Sequence, residues 1–231
     1  MHRSVLRGLL FASPWIVGFV IFQLIPIVAS AYFSLTNFNL FQDPQFVGLR
    51  NYQRLAGDDL FWKSLLNTLY LTVIGVPVSL TAALAAALAL SMRVRGQWLF
   101  RLFVFLAALQ DVPEVYYEAA VIDGAGAWAK FRHVTLPLIS PVILFETIIA
   151  SIFTLQYFTQ AFLLGQTRLN SASGGPENSL LVYGLYLFQQ AFINLNMGYA
   201  SAMAWVLLFV ALAGTWVLLR VSRDRVFYAG D

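Results

Sequence analysis

The stretch Asp111-Val-Pro-Glu-Val-Tyr-Tyr-Glu-Ala-Ala-Val-Ile-Asp-Gly-Ala-Gly-Ala-Trp-Ala-Lys-Phe-Arg-His-Val-Thr-Leu-Pro137 is the one long polar interruption in an otherwise apolar chain. Asp111 is placed to cap the free N–H groups of a helix. Pro113 suits a first turn, where its missing N–H is not needed, and Glu114, three residues after Asp111, completes a capping-box pattern. The spacing predicts a helix through Tyr116, Glu118 and Ala119 to about Asp123, where Gly124 and Gly126 end it and turn the chain. A second short helical segment, Ala127 to His133, then leads to Pro137. Two short helices joined at a glycine elbow are expected.

Outside this stretch the composition is that of a membrane protein. Hydrophobic residues make up 60% of the 231, aromatics 16% and charged residues only 11%, against about a quarter charged in soluble domains. There is no cysteine, so disulfides and thiolate chemistry are excluded. The net charge of +3 comes with no basic run beside a groove-reading element, which leaves nucleic-acid binding unsupported.

Four spans are predicted, about 10–35, 64–92, 138–163 and 199–219, since a helix needs about 20 apolar residues to cross the hydrocarbon. Pro14 and Pro26 are tolerable kinks in the first, which a short basic start (Arg3, Arg7) precedes. A signal peptide also begins this way, but the apolar stretch is long for one and lacks a clear cleavage site. In the second span the run Thr81 to Ala89 permits close helix packing. Leu102 to Leu109 is too short to cross, at about 12 Å of helix.

In the third span Glu146 lies roughly 13 Å beyond Pro137 along a helix. A carboxylate at that depth is either functional or held near the interface. Phe153, Gln156, Tyr157 and Gln160 fall at helical spacing on one side of the same span. Amides and rings suit a sugar, whose hydroxyls need hydrogen-bond partners and whose faces stack on aromatics. The same residues also serve as glue between helices. A soluble loop at 167–178 with Gly174-Gly-Pro176 and a short aromatic segment, Leu180 to Phe192, broken by Asn194 and Asn196, precede the last span.

Of the 14 Lys and Arg residues, Arg3, Arg7, Arg93, Arg95, Arg101, Lys130, Arg132, Arg220, Arg223 and Arg225 fall on one side of the predicted spans. Arg50, Arg54, Lys63 and Arg168 fall on the other. The excess marks the cytoplasmic side, so the N-terminus and the polar elbow are both expected there.

Glu118-Ala-Ala120, then Gly124, then Val134-Thr-Leu-Pro137 resembles the Glu-Ala-Ala loop of permease subunits of binding-protein-dependent ABC importers. Val134 stands where that family favours Ile. Tyr117, Ile122 and Asp123 resemble its carbohydrate, or maltose-type, branch, as do Phe46-Val-Gly-Leu-Arg-Asn-Tyr52 and the Gly-Gly-Pro turn ahead of Ala191-Phe192 and Met197 to Ala202. Without the resemblance, the elbow reads as an amphipathic helix on the membrane surface.

The resemblance implies an all-α, polytopic transmembrane helical bundle over 1–231, with the cytoplasmic loop 111–137 as coupling helix. Tyr117, Glu118, Ala119, Ala120, Asp123, Gly124, Leu136 and Pro137 would then meet the ATPase, and Glu146, Phe153, Gln156, Tyr157 and Gln160 would line the substrate path. The partners implied are a second permease subunit, an ATPase dimer, an extracytoplasmic solute-binding protein and the bilayer of the cytoplasmic membrane. No cofactor is expected in this chain. It lacks a Gly-x-x-x-x-Gly-Lys-Ser/Thr loop, so ATP and Mg belong to the ATPase, and the chain itself is not an enzyme.

Such permeases have a core of six spans. Two are therefore expected to be missing here, between Arg101 and Leu102. The competing reading is an ion-coupled carrier that uses Glu146. A membrane hydrolase is disfavoured because His2 and His133 are the only histidines and no His-Glu-x-x-His occurs.

Overall fold

The computed structural model describes residues 2–91, 105, 107–165, 174–223 and 226. Among the described residues the regular structure is helical, joined by turns and loops, and the only bridges are two isolated antiparallel ones in the first loop, Thr36 with Phe46 and Asn39 with Gln42. Four stretches are long and apolar enough to cross a membrane: Phe11–Ser34, Asp59–Ala89, Ser140–Leu164 and Met197–Ser222. They coincide with the four predicted spans. The basic cluster Arg93, Arg95 and Arg101, the junction of Arg101 with Leu102, and Arg168 and Arg225 lie outside the described residues.

Proline accounts for most of the local irregularity. Pro26, Pro77 and Pro137 each follow a widened turn, Val20–Leu24, Leu71–Gly75 and Phe131–Thr135. A proline in a helix lacks a donor, and its ring collides with the carbonyl four residues earlier. Widening the preceding turn relieves that collision. The backbone shows the shift, with Ile25 donating to the Val20 carbonyl and Leu136 to that of Phe131, five residues back instead of four. No proline accompanies the fourth such turn, Gln189–Ile193.

The chain divides into two compact units. The first joins Met1–Ser64 to Phe158–Phe209. Its core holds Leu55, Phe61, Tyr183, Leu185, Tyr199 and Met203, with the Phe61 and Tyr183 rings edge to face at 5.8 Å. The segment Phe46 to Tyr52 acts here as a clamp. Gly48 takes φ +60°, a left-handed turn that glycine adopts without a Cβ penalty. The turn starts the helix Arg50–Ala56. From that helix, buried Asn51 donates through Nδ2 to the carbonyls of Ser34 and Thr36, each at 2.8 Å, and the Tyr52 hydroxyl donates to Ser34 Oγ at 3.0 Å. The first span thus ends with its last carbonyls satisfied, as a helix end out of reach of water requires.

The second unit joins Leu65–Tyr157 to Val210–Asp231. Val76, Leu80, Ala87, Phe105 and Ala150 form its core, with Ala83, Leu84, Ala86, Val142 and Ile143 packed against them. The alanine-rich run does what small residues do in membranes, letting two helix backbones approach closely. Along Ser140–Leu155, the hydroxyls of Thr147, Ser151 and Thr154 each bond the carbonyl four residues earlier, which leaves none of them unpaired in lipid.

Candidate coupling elbow and polar network

The helix of the elbow is Glu114–Ile122. It starts later than predicted, and Asp111 does not cap it. Asp111 instead closes the preceding helical turn, its N–H donating to the Ala107 carbonyl at 3.0 Å. Pro113 is extended (φ −61°, ψ 133°) and occupies the cap position without a side-chain bond. A proline keeps the residue before it out of the helical region, so Val112 separates Asp111 from the helix it was expected to start. Glu114 remains in the first turn, where a carboxylate favours the helix dipole.

The other end follows the prediction in detail. Asp123 is the C-cap and Gly124 has φ +76°. Ala125 N–H donates to the Ala120 carbonyl at 2.8 Å and Gly124 N–H to that of Val121 at 3.0 Å, the paired bonds of a Schellman motif. Gly126 has a different part. Its φ of −67° and ψ of 172° are open to any residue, and it begins the next helix instead of ending the first.

The second arm does not stop at His133. It continues from Ala127–Lys130 through the widened turn Phe131–Thr135 and Leu136–Leu138. Buried Thr135 is hydrogen-bonded to the Tyr117 hydroxyl at 2.9 Å, which braces one arm against the other. Tyr117 is therefore a strut within the elbow, half-buried, while Glu118, Ala119 and Asp123 are exposed. Leu136 is at the surface, and Pro137 is half-buried in the second arm.

Val115, Glu118, Ala119 and Ile122 follow the i, i+3, i+4, i+7 spacing of one helix face. Val115 is 69% exposed, Ile122 86% and Trp128, at the start of the second arm, 70%. These apolar side chains stand open on a polar loop braced by the Tyr117–Thr135 bond.

The expected substrate-path group does not lie on one helix. The third span's regular helix ends at Leu155, with Gln156 as its C-cap (φ −94°, ψ 13°), and a new helix, Thr159–Gly165, carries Gln160. The common face assumed for Gln156, Tyr157 and Gln160 needed an unbroken helix, and no glycine or proline marks the break. Phe153, Gln156 and Gln160 are exposed and Tyr157 half-buried. Glu146 is only 7% exposed. Its neighbours one turn away, Val142, Ile143 and Ala150, pack on the second span's core residues, so Glu146 shares that packed face.

Residues 9–225 match the family described as the binding-protein-dependent transport system inner membrane component. The chain belongs to that family. The chain is 30% identical, over an alignment 295 residues long with gaps that covers 99% of it and 94% of the relative, to the "Probable ABC transporter permease protein YesP" of Bacillus subtilis. It is 27% identical to the lactose transport system permease protein LacF of Rhizobium radiobacter, with 95% of each chain covered. A solved chain of a bacterial ABC transporter that imports alginate superposes with TM-score 0.70 at 21% identity, over 97% of this chain and 99% of that one, a likeness of fold. The component is thus a multi-pass membrane permease subunit of the ABC importer class, a part that translocates and not an enzyme.

On the first unit the permease carries a polar network that the sequence reading missed. Asp58 caps the helix Asp59–Tyr70 through Oδ1, which accepts the N–H groups of Leu60 at 3.0 Å and Phe61 at 3.3 Å. Oδ2 accepts the hydroxyls of Tyr186 and Tyr199, and the Arg54 guanidinium lies 4.5 Å above the Tyr199 ring. The Lys63 ammonium donates to the Glu177 carbonyl. Burial pushes the Asp58 carboxyl up, but the two tyrosine hydroxyls and two backbone N–H groups outweigh it and hold the group below its ordinary 3.8. Burial and the Asp58 hydrogen bond push Tyr186 up to about 12. An aspartate just before an apolar helix is a readable cap signal. Its tyrosine partners, over a hundred positions away, are not.

A depressed carboxyl stabilises the fold above the ordinary carboxylate pKa, and that contribution is lost as the pH falls through the depressed value. Asp58→Ala should therefore lower stability by about 1–2 kcal/mol at pH 7, through the lost cap and the two unpaired hydroxyls. The gap to the wild type should narrow below pH 4. Thermal unfolding of both proteins in detergent at pH 7 and pH 3.5 checks this, and an equal gap at the two values would refute the carboxylate's role.

Proposed function

We propose that this permease subunit carries a sugar or oligosaccharide across the cytoplasmic membrane, receiving it from an extracytoplasmic binding protein and driven by a separate ATPase pair. The observation that carries the reading is the braced elbow, whose exposed face of Val115, Glu118, Ala119, Ile122 and Asp123 suits a groove with apolar walls and a basic rim. The lactose permease and the trehalose/maltose permease of Thermococcus litoralis support the substrate class. The excess of Lys and Arg on the elbow's side supports a cytoplasmic N-terminus and elbow. ATP and Mg belong to the ATPase pair, and a second permease subunit completes the path. Phe153, Gln156 and Tyr157, at and just beyond the end of the third span's regular helix, are proposed to face that path, whereas Glu146 packs toward the second span.

The alignment with the Bacillus subtilis relative covers 295 residues although this chain has only 231, so the relative holds a stretch without counterpart here. The difference is large enough for two spans of about 20 residues each. We place the loss between Arg101 and Leu102, where removal of an antiparallel pair leaves both flanks on one side of the membrane.

Uptake of radiolabelled oligosaccharide into vesicles holding the assembled complex tests the function. Uptake should need internal or external ATP on the elbow's side together with the binding protein, and should survive collapse of the proton and sodium gradients. Uptake that stops when the gradients collapse at clamped ATP would favour an ion-coupled carrier.

A further inference from the structure

We propose that Tyr117 is a positioning residue for coupling. With Thr135 and Pro137 it fixes the angle at which the elbow's exposed face leaves the third span, so that motion of that face is passed to the span and not lost in a bend. The inference rests on the permease reading and adds which residues transmit the motion within this chain.

Thr135 closes the widened turn Phe131–Thr135 that precedes Pro137. Its hydroxyl reaches the Lys130 carbonyl, five residues back, at 3.5 Å, whereas the hydroxyls of Thr147, Ser151 and Thr154 on the regular helix beyond reach four residues back. The Thr135 side chain thus follows the widened register. Closing the turn to the ordinary register would swing it round the helix by up to about 100°, the step of one residue, and away from Tyr117. A carbonyl only accepts, so the Thr135 proton goes to Lys130 and the Tyr117 hydroxyl donates to Thr135 Oγ1 at 2.9 Å. The donors run in series from the first arm into the widened turn of the second.

Nothing else of the kind links the arms. On the helix Glu114–Ile122 only Tyr117 and Ala120, one turn apart, are half-buried, and every other residue is exposed. Ala120 has no polar side chain, so the inward face holds by the Tyr117 hydroxyl. Thr135, at 4% exposure, is shut away from competing water. The widened turn ahead of Pro77 shows the contrast. There the Thr72 hydroxyl bonds the Thr68 carbonyl of its own helix at 2.9 Å, which ties that turn to no other element. A neutral hydrogen bond is modest in net stability, so losing the one at Tyr117 leaves both arms helical and frees the angle between them.

The chain has no cysteine, so spin labels can be placed at Ile122→Cys on the elbow and Phe145→Cys on the third span, both exposed positions. In the full-length protein in nanodiscs the distance distribution between the labels should be narrow. It should broaden at least two-fold when Tyr117→Phe or Thr135→Val is added, and stay narrow with Thr135→Ser, which keeps a hydroxyl. Without labels, in the assembled complex in vesicles, Tyr117→Phe and Thr135→Val should each move at least five-fold less radiolabelled oligosaccharide per ATP hydrolysed, and Thr135→Ser should keep the wild-type ratio. The double variant Tyr117→Phe, Thr135→Val should be no worse than either single one, as a shared bond requires. Unchanged distances, an unchanged ratio, or uptake and hydrolysis that fall in proportion would overturn the positioning role and leave the permease reading intact. A wild-type complex whose uptake needs no ATP would overturn the permease reading, and the positioning role with it.

Discussion

A Gly124→Pro variant should still insert in the membrane and lose ATP-dependent uptake to background. Gly124 holds φ +76°, whereas proline fixes φ near −65° and removes the N–H that donates to the Val121 carbonyl. The turn cannot close, and the face of Glu114–Ile122 is no longer presented by the Tyr117–Thr135 strut. Space is not the constraint, because nothing lies within 4 Å of a Cβ built at Gly124 or at Gly126. Gly124→Ala should therefore impair uptake partially, through the about 1–2 kcal/mol cost of a left-handed residue with a Cβ. Gly126→Ala should be close to wild type. Transport assays on the three variants at matched membrane levels distinguish them, and a Gly126→Ala defect as deep as that of Gly124→Pro would mean that loop flexibility, not the left-handed turn, matters.

Gly198→Val should abolish recovery of folded protein. A Cβ at Gly198 would lie 2.1 Å from the Thr36 carbonyl oxygen and 3.1 Å from those of Phe33 and the N atom of Phe38. All three are backbone atoms, so no rotamer change relieves the clash. The last span begins where this backbone contact is made, with Gly198 N–H bonded to the Phe38 carbonyl. The expected cost is at or above the upper end of the about 1–3 kcal/mol that overpacking brings. Gly214→Val, in the same helix with nothing within 4 Å of its Cβ, is the control and should purify normally. Size-exclusion profiles and melting temperatures of the two variants decide the matter, and equal recovery would refute the close approach.

What the residues made legible was local. Crossing helices were readable because about 20 apolar residues in a row admit few other fates. The Gly124 turn was readable because a Schellman glycine follows from a helix of six neighbouring residues and its own φ. Local reading failed where two local signals compete. Asp111 and Glu114 match a capping box, yet Pro113 between them excludes the helical geometry that the box requires. It failed again at Leu155, where the helix ends without glycine or proline and the shared face of Gln156 and Gln160 disappears with it. There the aromatic stack of Phe158 with Phe162 and Phe188, at 5.3 and 5.1 Å, holds the chain after the break.

The sequence by itself determined the class of molecule, the four spans, the polar elbow and the glycine on which it turns, since each depends on side chains within a few positions of one another. Only the tertiary structure decided that Asp58 joins Tyr186 and Tyr199, 128 and 141 positions away, that Tyr117 braces Thr135, and that Gly198 touches the backbone at Thr36. Hydrogen bonds and steric contacts act over a few ångströms, and which distant residues come within that range is settled by how the helices pack.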